Sequence, residues 1–301
     1  MDLDKLPLTY FFEWDAVDEK ARRMAMAEFS ANGARHLVLT HTLLKMLCGT
    51  PALYRKLAAE LAEANLDLVD AHAPFRDECD LWLPVEEYRR QMIARRKFEL
   101  QLMCDFGVKT CTIHVGNWPY PGHTLGDYRD AVRRSLDELL PVAERLDVTI
   151  ALENLYKPLN LPDDIVGFVK EFGSDHLGLC FDAGHANILA RGGEFPDGTA
   201  YASCASMGTK PVWDARALDK MLPHVVSCHL HDNRIRRDDH DLPGTGTVDW
   251  KTVLKKLSRA PRLKCIQSEV EPLRHGIPIG RLCSTFRKLL SAPAESLNEK
   301  C

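Results

Sequence analysis

Six successive apolar runs of the chain each end in side chains that bind metals and move protons. His72 follows Ala71, His114 follows Ile113, Glu153 follows Leu152, and Asp182 and His185 follow Phe181. His229 and His231 then follow Cys228, and Glu269 and Glu271 follow Ser268. Carboxylates and imidazoles are the donors that divalent Mn, Zn, Co or Mg accept, and mixed oxygen and nitrogen donors favour Mn, Zn or Co over calcium. Glu153, Asp182 and Glu269 brought together without a cation would repel one another, and some would have to bind protons. A lone histidine at such a position is more often a hydrogen-bonded rim residue, and a lone acid a helix N-cap. Six runs in succession with such an ending are what point to a metal.

The elements that must position these groups are legible from periodicity. Short runs rich in β-branched residues alternate along the whole chain with amphipathic segments. The expected strands are Leu8–Phe12, His36–Leu39, Leu66–Ala71, Thr110–Ile113, Thr149–Leu152, Leu177–Phe181, Val225–Cys228 and Lys264–Ser268. Helices are expected over Val17–Asn32 and Val85–Phe106, each followed by a glycine stop, Gly33 and Gly107. Others are expected near Asp127–Leu146, Asp163–Phe172, Trp250–Leu257 and Arg281–Leu290. Eight such units without a Pro- or Ser-rich linker predict an α/β fold, a single (β/α)8 TIM barrel over residues 1–291 with a frayed C-terminal tail over 292–301. A Rossmann fold is the alternative, but no Gly-x-Gly-x-x-Gly follows the first strand. A barrel gathers all C-terminal strand ends around one axis, so residues roughly 200 positions apart can share one coordination sphere. Gly192–Lys210 and Asn233–Asp249 are insertions after strands six and seven, expected to rise over that face.

Composition narrows the partners. With 39 Lys+Arg against 43 Asp+Glu the net charge is −4, so no basic excess advertises a nucleic-acid partner. No apolar stretch approaches the roughly 20 residues that cross a bilayer, so no membrane association is expected. The ten cysteines are scattered without a Cys-x-x-Cys, as reduced core residues of a cytoplasmic protein would be.

The chain resembles the xylose isomerase-like TIM barrels, which include sugar phosphate isomerases and epimerases, inosose and dehydroshikimate dehydratases, and the endonuclease IV enzymes that act on abasic DNA. The resemblance covers nearly the whole chain. It is carried by Phe181-Asp182-Ala183-Gly184-His185, by His229-Leu230-His231-Asp232-Asn233, and by the run from Asp239 to Trp250 containing Leu242-Pro243-Gly244-Thr245-Gly246-Thr247. It implies a divalent metal held by Glu153, Asp182, His229 and Glu269. The endonuclease branch binds three zinc ions, and its extra ligands are matched here by His72, His114, His185, Asp238 and His240. One to three ions are therefore expected.

The chemistry this suggests is a metal-dependent isomerase or epimerase working by proton transfer next to a carbonyl or hydroxyl of a carbohydrate or polyol. Moving such a hydrogen needs a base at the carbon and a Lewis acid at the oxygens. Glu153 and Glu269 suit the proton-handling roles, with His185 orienting a substrate hydroxyl. Trp14, Trp118 and Tyr120 offer flat faces to a sugar, and Arg234 and Arg236 could clamp a phosphate or hydroxyl. Tyr10 and Phe12 sit beside Trp14 at the end of the first strand, and an exposed Trp14 would also favour pairing with a second copy. The alternatives are a zinc phosphodiesterase acting on abasic DNA and a dehydratase or lyase on the same barrel. Against the first, the loop Arg191–Lys210 carries one basic residue at each end and the loop from Asn117 to Gly122 none.

Overall fold

In the computed structural model, which describes residues 1–291, eight parallel strands follow one another in sequence order and close into a barrel. They are β1 (Leu8–Tyr10), β2 (His36–Leu39), β3 (Asp67–His72), β4 (Thr110–Ile113), β5 (Thr149–Glu153), β6 (Leu177–Asp182), β7 (Val225–Leu230) and β8 (Cys265–Ser268). The expected tail over 292–301 lies outside the described residues.

Strands two, four and eight end where the apolar pattern predicts, and β3, β5, β6 and β7 end later, in a way that matters. His72, Glu153, Asp182 and His229 are themselves the last or nearly last paired residues of their strands, so their backbones are fixed by the ladder. Asp182 stands opposite His229, and His229 opposite Gln267, which aligns neighbouring strands at one level. The first strand ends earlier than expected, at Tyr10 rather than Phe12.

Eleven α-helices surround the barrel among the described residues. α1 (Glu19–Ala31) starts on Asp18, whose carboxylate accepts from Ala21 N–H, and it ends against Gly33 at φ +80°, a conformation that glycine tolerates best. α2 (His41–Gly49) and α3 (Leu53–Ala64) both lie between β2 and β3. The sequence reading names neither helix, since α2 is capped by Thr40 directly after the strand and its apolar residues continue the strand's apolar run. α4 (Glu86–Asp105) and α5 (Leu125–Leu146) follow. In α5 the buried positions Tyr128, Val132, Leu136, Leu139 and Ala143 recur every three or four residues, one stripe facing the sheet. The Val and Leu side chains of the stripe each stabilise by about 1.5–3 kcal/mol on burial. A capping box between Thr124 and Asp127 fixes its start.

The remaining helices are α6 (Pro162–Phe172), α7 (Ala183–Arg191), α8 (Thr199–Ala205), α9 (Ala217–Met221), α10 (Trp250–Leu257) and α11 (Ile279–Ser291). The expected insertion at Gly192–Lys210 contains α8. All nine cysteines among the described residues are free. No described helix is long and apolar enough to cross a membrane.

Candidate metal centre

The ends of β5, β6, β7 and β8 bring Glu153, Asp182, His229 and Glu269 together, each offering one donor atom within 4.8 Å of the others. His229 Nδ1 lies 3.4 Å from Glu153 Oε1, 3.7 Å from Asp182 Oδ2 and 3.1 Å from Glu269 Oε2. Further donors overlap this set: His72 groups with Glu153 and His229, and His231 and His240 group with Glu269. Glu153 is the hub, its Oε2 2.8 Å from His114 Nε2 and 3.4 Å from His72 Nε2. His185 donates through Nδ1 to the carbonyl of Asn154 at 3.0 Å and places Nε2 2.9 Å from Asp238.

These residues fit a cation on two observations. His229 Nδ1, Glu153 Oε2 and Glu269 Oε2 are buried without an aligned hydrogen bond, which folded proteins rarely tolerate unless an ion or water completes the site. The charges also show strain. Burial opposes charge on His185, yet Asp182 and Asp238 outweigh it and hold the imidazole well above its ordinary value. His229 behaves alike, with burial overcome by Cys180, Glu269 and Glu153, and Asp238 raises the partly buried His240 to about 10. Burial would raise Glu153, but His114 and His229 pull it well below the carboxylate range. Carboxylates packed this closely draw protons onto the imidazoles between them, and a dication would neutralise them in the protons' place.

The motifs that flank these donors have separable structural tasks. Asp182 is also the N-cap of α7, accepting from His185 N–H at 2.6 Å, while its other oxygen lies 3.1 Å from His231 Nε2. Asp232 belongs to none of these donor groups. Its carboxylate accepts from the backbone of Asn233, Gly244 and Val248 and from Trp250 Nε1, folding the Pro-Gly-Thr-Gly-Thr segment back onto β7. Gly184 is required for space, because a Cβ there would stand 2.0 Å from His231 Cε1. Gly184→Ala is therefore expected to displace His231 from Asp182 and weaken metal binding about 10- to 100-fold, the usual cost of losing a ligand's supporting partner. Metal stoichiometry after dialysis against graded chelator would measure this.

The centre forms one wall of a cavity of about 680 Å³. Trp118 lines it, 45% exposed. Four residues expected at the substrate do not. Trp14 is 0% exposed, packed against Phe12 at 4.6 Å, so it offers neither a sugar platform nor a pairing surface. Along the end of β1, side chains alternate: Tyr10 and Phe12 pack on Phe29 in the helical layer, and Phe11 faces the cavity. Arg234 bonds Asp241 and the Thr245 carbonyl, and Arg236 pairs with Asp197. Both point outward because Asn233 and Ile235 take the buried side of the alternating backbone. The fourth, Tyr120, lies outside the cavity wall, partly buried against the core in a loop pinned to Tyr128.

Residues that sequence reasoning missed replace them. His41, Phe75, Arg76, Asn117 and Lys157 line the cavity. Burial lowers His41 to about 3, so it is neutral there, and burial brings Lys157 down to about 8 against the pull of Asp80. Phe11 was within reach of the alternation rule applied to strand one, whereas His41 opens α2 and has no strand register to place it. Lys157 gave no signal, since a loop lysine is ordinarily solvated.

A family model described as xylose isomerase-like TIM barrel matches residues 28–277. A protein of Methanocaldococcus jannaschii without an assigned function is 23% identical over 234 residues, covering 76% of this chain and 71% of its own. The structure is similar to that of the 3-keto-D-glucoside 4-epimerase of E. coli, with a TM-score of 0.68, 17% identity, and 96% and 100% of the two chains covered. It is also similar to the IolI protein with a bound zinc atom, with a TM-score of 0.67, 17% identity, and 94% and 96% covered. At such identities the structural likeness is one of fold. The chain belongs to the xylose isomerase-like TIM barrel family.

Proposed function

We propose that the protein is a divalent-metal-dependent isomerase or epimerase of a carbohydrate or related polyol, with Glu153, Asp182, His229 and Glu269 as metal ligands. The observation that carries this reading is that Glu153 and Glu269 both border the cavity and belong to one four-donor group, though they arrive on β5 and just after β8. Two carboxylates reaching the same point from different strands can serve different faces or adjacent carbons of one substrate. That neighbours of this fold include a sugar epimerase and a zinc-bound protein supports the reading.

When bound, the cation supplies Lewis acidity to a carbonyl and the hydroxyl beside it. Glu269, whose Oε2 has no hydrogen bond, takes or returns a proton at carbon. Glu153 is steadied by His72 and His114 and serves the opposite transfer. His185, anchored on the Asn154 carbonyl, turns Nε2 and Asp238 towards a substrate hydroxyl. Phe11, Phe75 and Trp118 give apolar faces for the C–H surface of a sugar.

The test is a screen of ketoses and polyols in deuterated water. Metal-dependent deuterium uptake at the carbon beside the carbonyl is expected. The overlapping three-residue donor groups favour one second reading, a multinuclear zinc phosphodiesterase. Nicking of an abasic duplex with no uptake into any sugar would replace the first reading by the second.

A further inference from the structure

The cavity wall away from the carboxylates carries cations that the proposed chemistry does not use. Lys157, on the loop after β5, is only 8% exposed yet lines the cavity. Its ammonium donates to Asn117 O at 3.1 Å and Asn117 Oδ1 at 3.4 Å, both neutral acceptors, and lies 5.4 Å from the centre of the Trp118 ring. Arg76, on the loop after β3, reaches the same cavity, with only the Phe75 ring 5.5 Å from its guanidinium carbon. Among the described residues neither head group has an ion-pair partner. Of the other cationic side chains of the wall, Arg274 is paired with Glu271, whereas Arg237 also has no ion pair among the described residues but borders the cavity beside Asp238 and Asp239, on the carboxylate side.

The fold holds these two groups in place. Arg76 adopts φ +70°, strained for a residue with a side chain, and its N–H donates to Asp80 Oδ1 at 3.0 Å. The same buried Asp80 accepts from Asn117 N–H at 2.7 Å and from its side-chain amide at 3.1 Å, and Asn117 in turn reaches both Lys157 and His114. One carboxylate thus braces both loops and ties them to the edge of the metal centre. An unpaired ammonium is costly to bury, and an arriving anion would remove that cost.

We propose that Lys157 and Arg76 form an oxyanion subsite, so that the substrate is an acidic sugar whose phosphate or carboxylate docks here while its carbonyl end faces Glu153 and Glu269. The assignment of that carbonyl end rests on the isomerase reading, whereas the subsite itself does not. Charge-assisted hydrogen bonds of this kind change affinity by about 10- to 100-fold.

Two measurements test it on the metal-loaded protein. In the first, calorimetric titration with inorganic phosphate and with glycolate is run on wild type, Lys157→Met, Lys157→Arg and Arg76→Gln. At least one anion should bind wild type and bind Lys157→Met and Arg76→Gln at least 10-fold more weakly, with Lys157→Arg partly restored. The exposed Arg76 carries the test if Lys157→Met does not fold. In the second, deuterium exchange compares D-fructose, D-fructose 6-phosphate and a keto sugar acid. One acidic sugar should exceed the neutral one at least 10-fold in kcat/KM, an advantage that Arg76→Gln removes through KM, and the better of the two identifies the anion. Anion binding that depends on Lys157 and Arg76, with exchange in no sugar, upholds the subsite and refutes the isomerase reading. D-fructose exchanging as fast as its acidic relatives, with anion affinities unchanged in the variants, overturns the subsite and leaves the isomerase reading standing.

Discussion

Glu269→Gln is expected to lower the rate of metal-dependent deuterium exchange by about 10²- to 10⁴-fold, the span that positioned acid–base groups contribute. The amide keeps the size of the side chain and one oxygen for a cation but cannot take a proton from carbon. Exchange should therefore fall more than metal content does, and measuring both on the same preparation separates proton transfer from ligation. Glu153→Gln should lose exchange to a similar degree and lose more metal. Glu153 sits among His72, His114, His185 and His229, and neutralising it leaves that crowd of imidazoles without its central charge. A Glu269→Gln protein with wild-type exchange would remove that residue from the mechanism.

Stripping the metal is expected to lower the thermal midpoint, because a ligand that binds only the folded chain adds about 4 kcal/mol when present at 1,000 times its dissociation constant. The effect should depend on pH in a definite direction. His185, His229 and His240 have folded-state values above their unfolded ones. Their protonation therefore stabilises the metal-free protein fully below the unfolded histidine value, and this contribution is lost as pH rises through the folded values. A cation must displace those protons, so metal binding is opposed most at low pH. The midpoint difference between metal-loaded and stripped protein should accordingly be larger at pH 8 than at pH 6. Scanning calorimetry at the two pH values measures it, and equal differences would contradict the charge balance drawn here.

The barrel was legible in the sequence because its determinants are local: strand runs, helix stripes, and stops such as Gly33 and Gly107. The group of Glu153, Asp182, His229 and Glu269 was legible for a topological reason, since knowing that each residue ends a parallel strand is enough to bring it to one rim. Loop residues lacked that guarantee. Arg234 and Arg236 could reach a substrate only by pointing inward, but a loop has no pleat to fix which side a side chain takes, and the buried positions go to Asn233 and Ile235. Trp14 misled in the opposite way, because its size makes it equally suited to a sugar platform or to the core packing it has against Phe12. Lys157 and Arg76 depend on Asp80 and Asn117, contacts between the loops after β3, β4 and β5 that no periodicity encodes.

Crystals grown with Mn²⁺ and measured for anomalous scattering test the central claim most directly. A peak is predicted at about 2.0–2.3 Å from donor atoms of Glu153, Asp182, His229 and Glu269. Those four side chains turned away from one another, with manganese bound elsewhere or nowhere, would contradict the account.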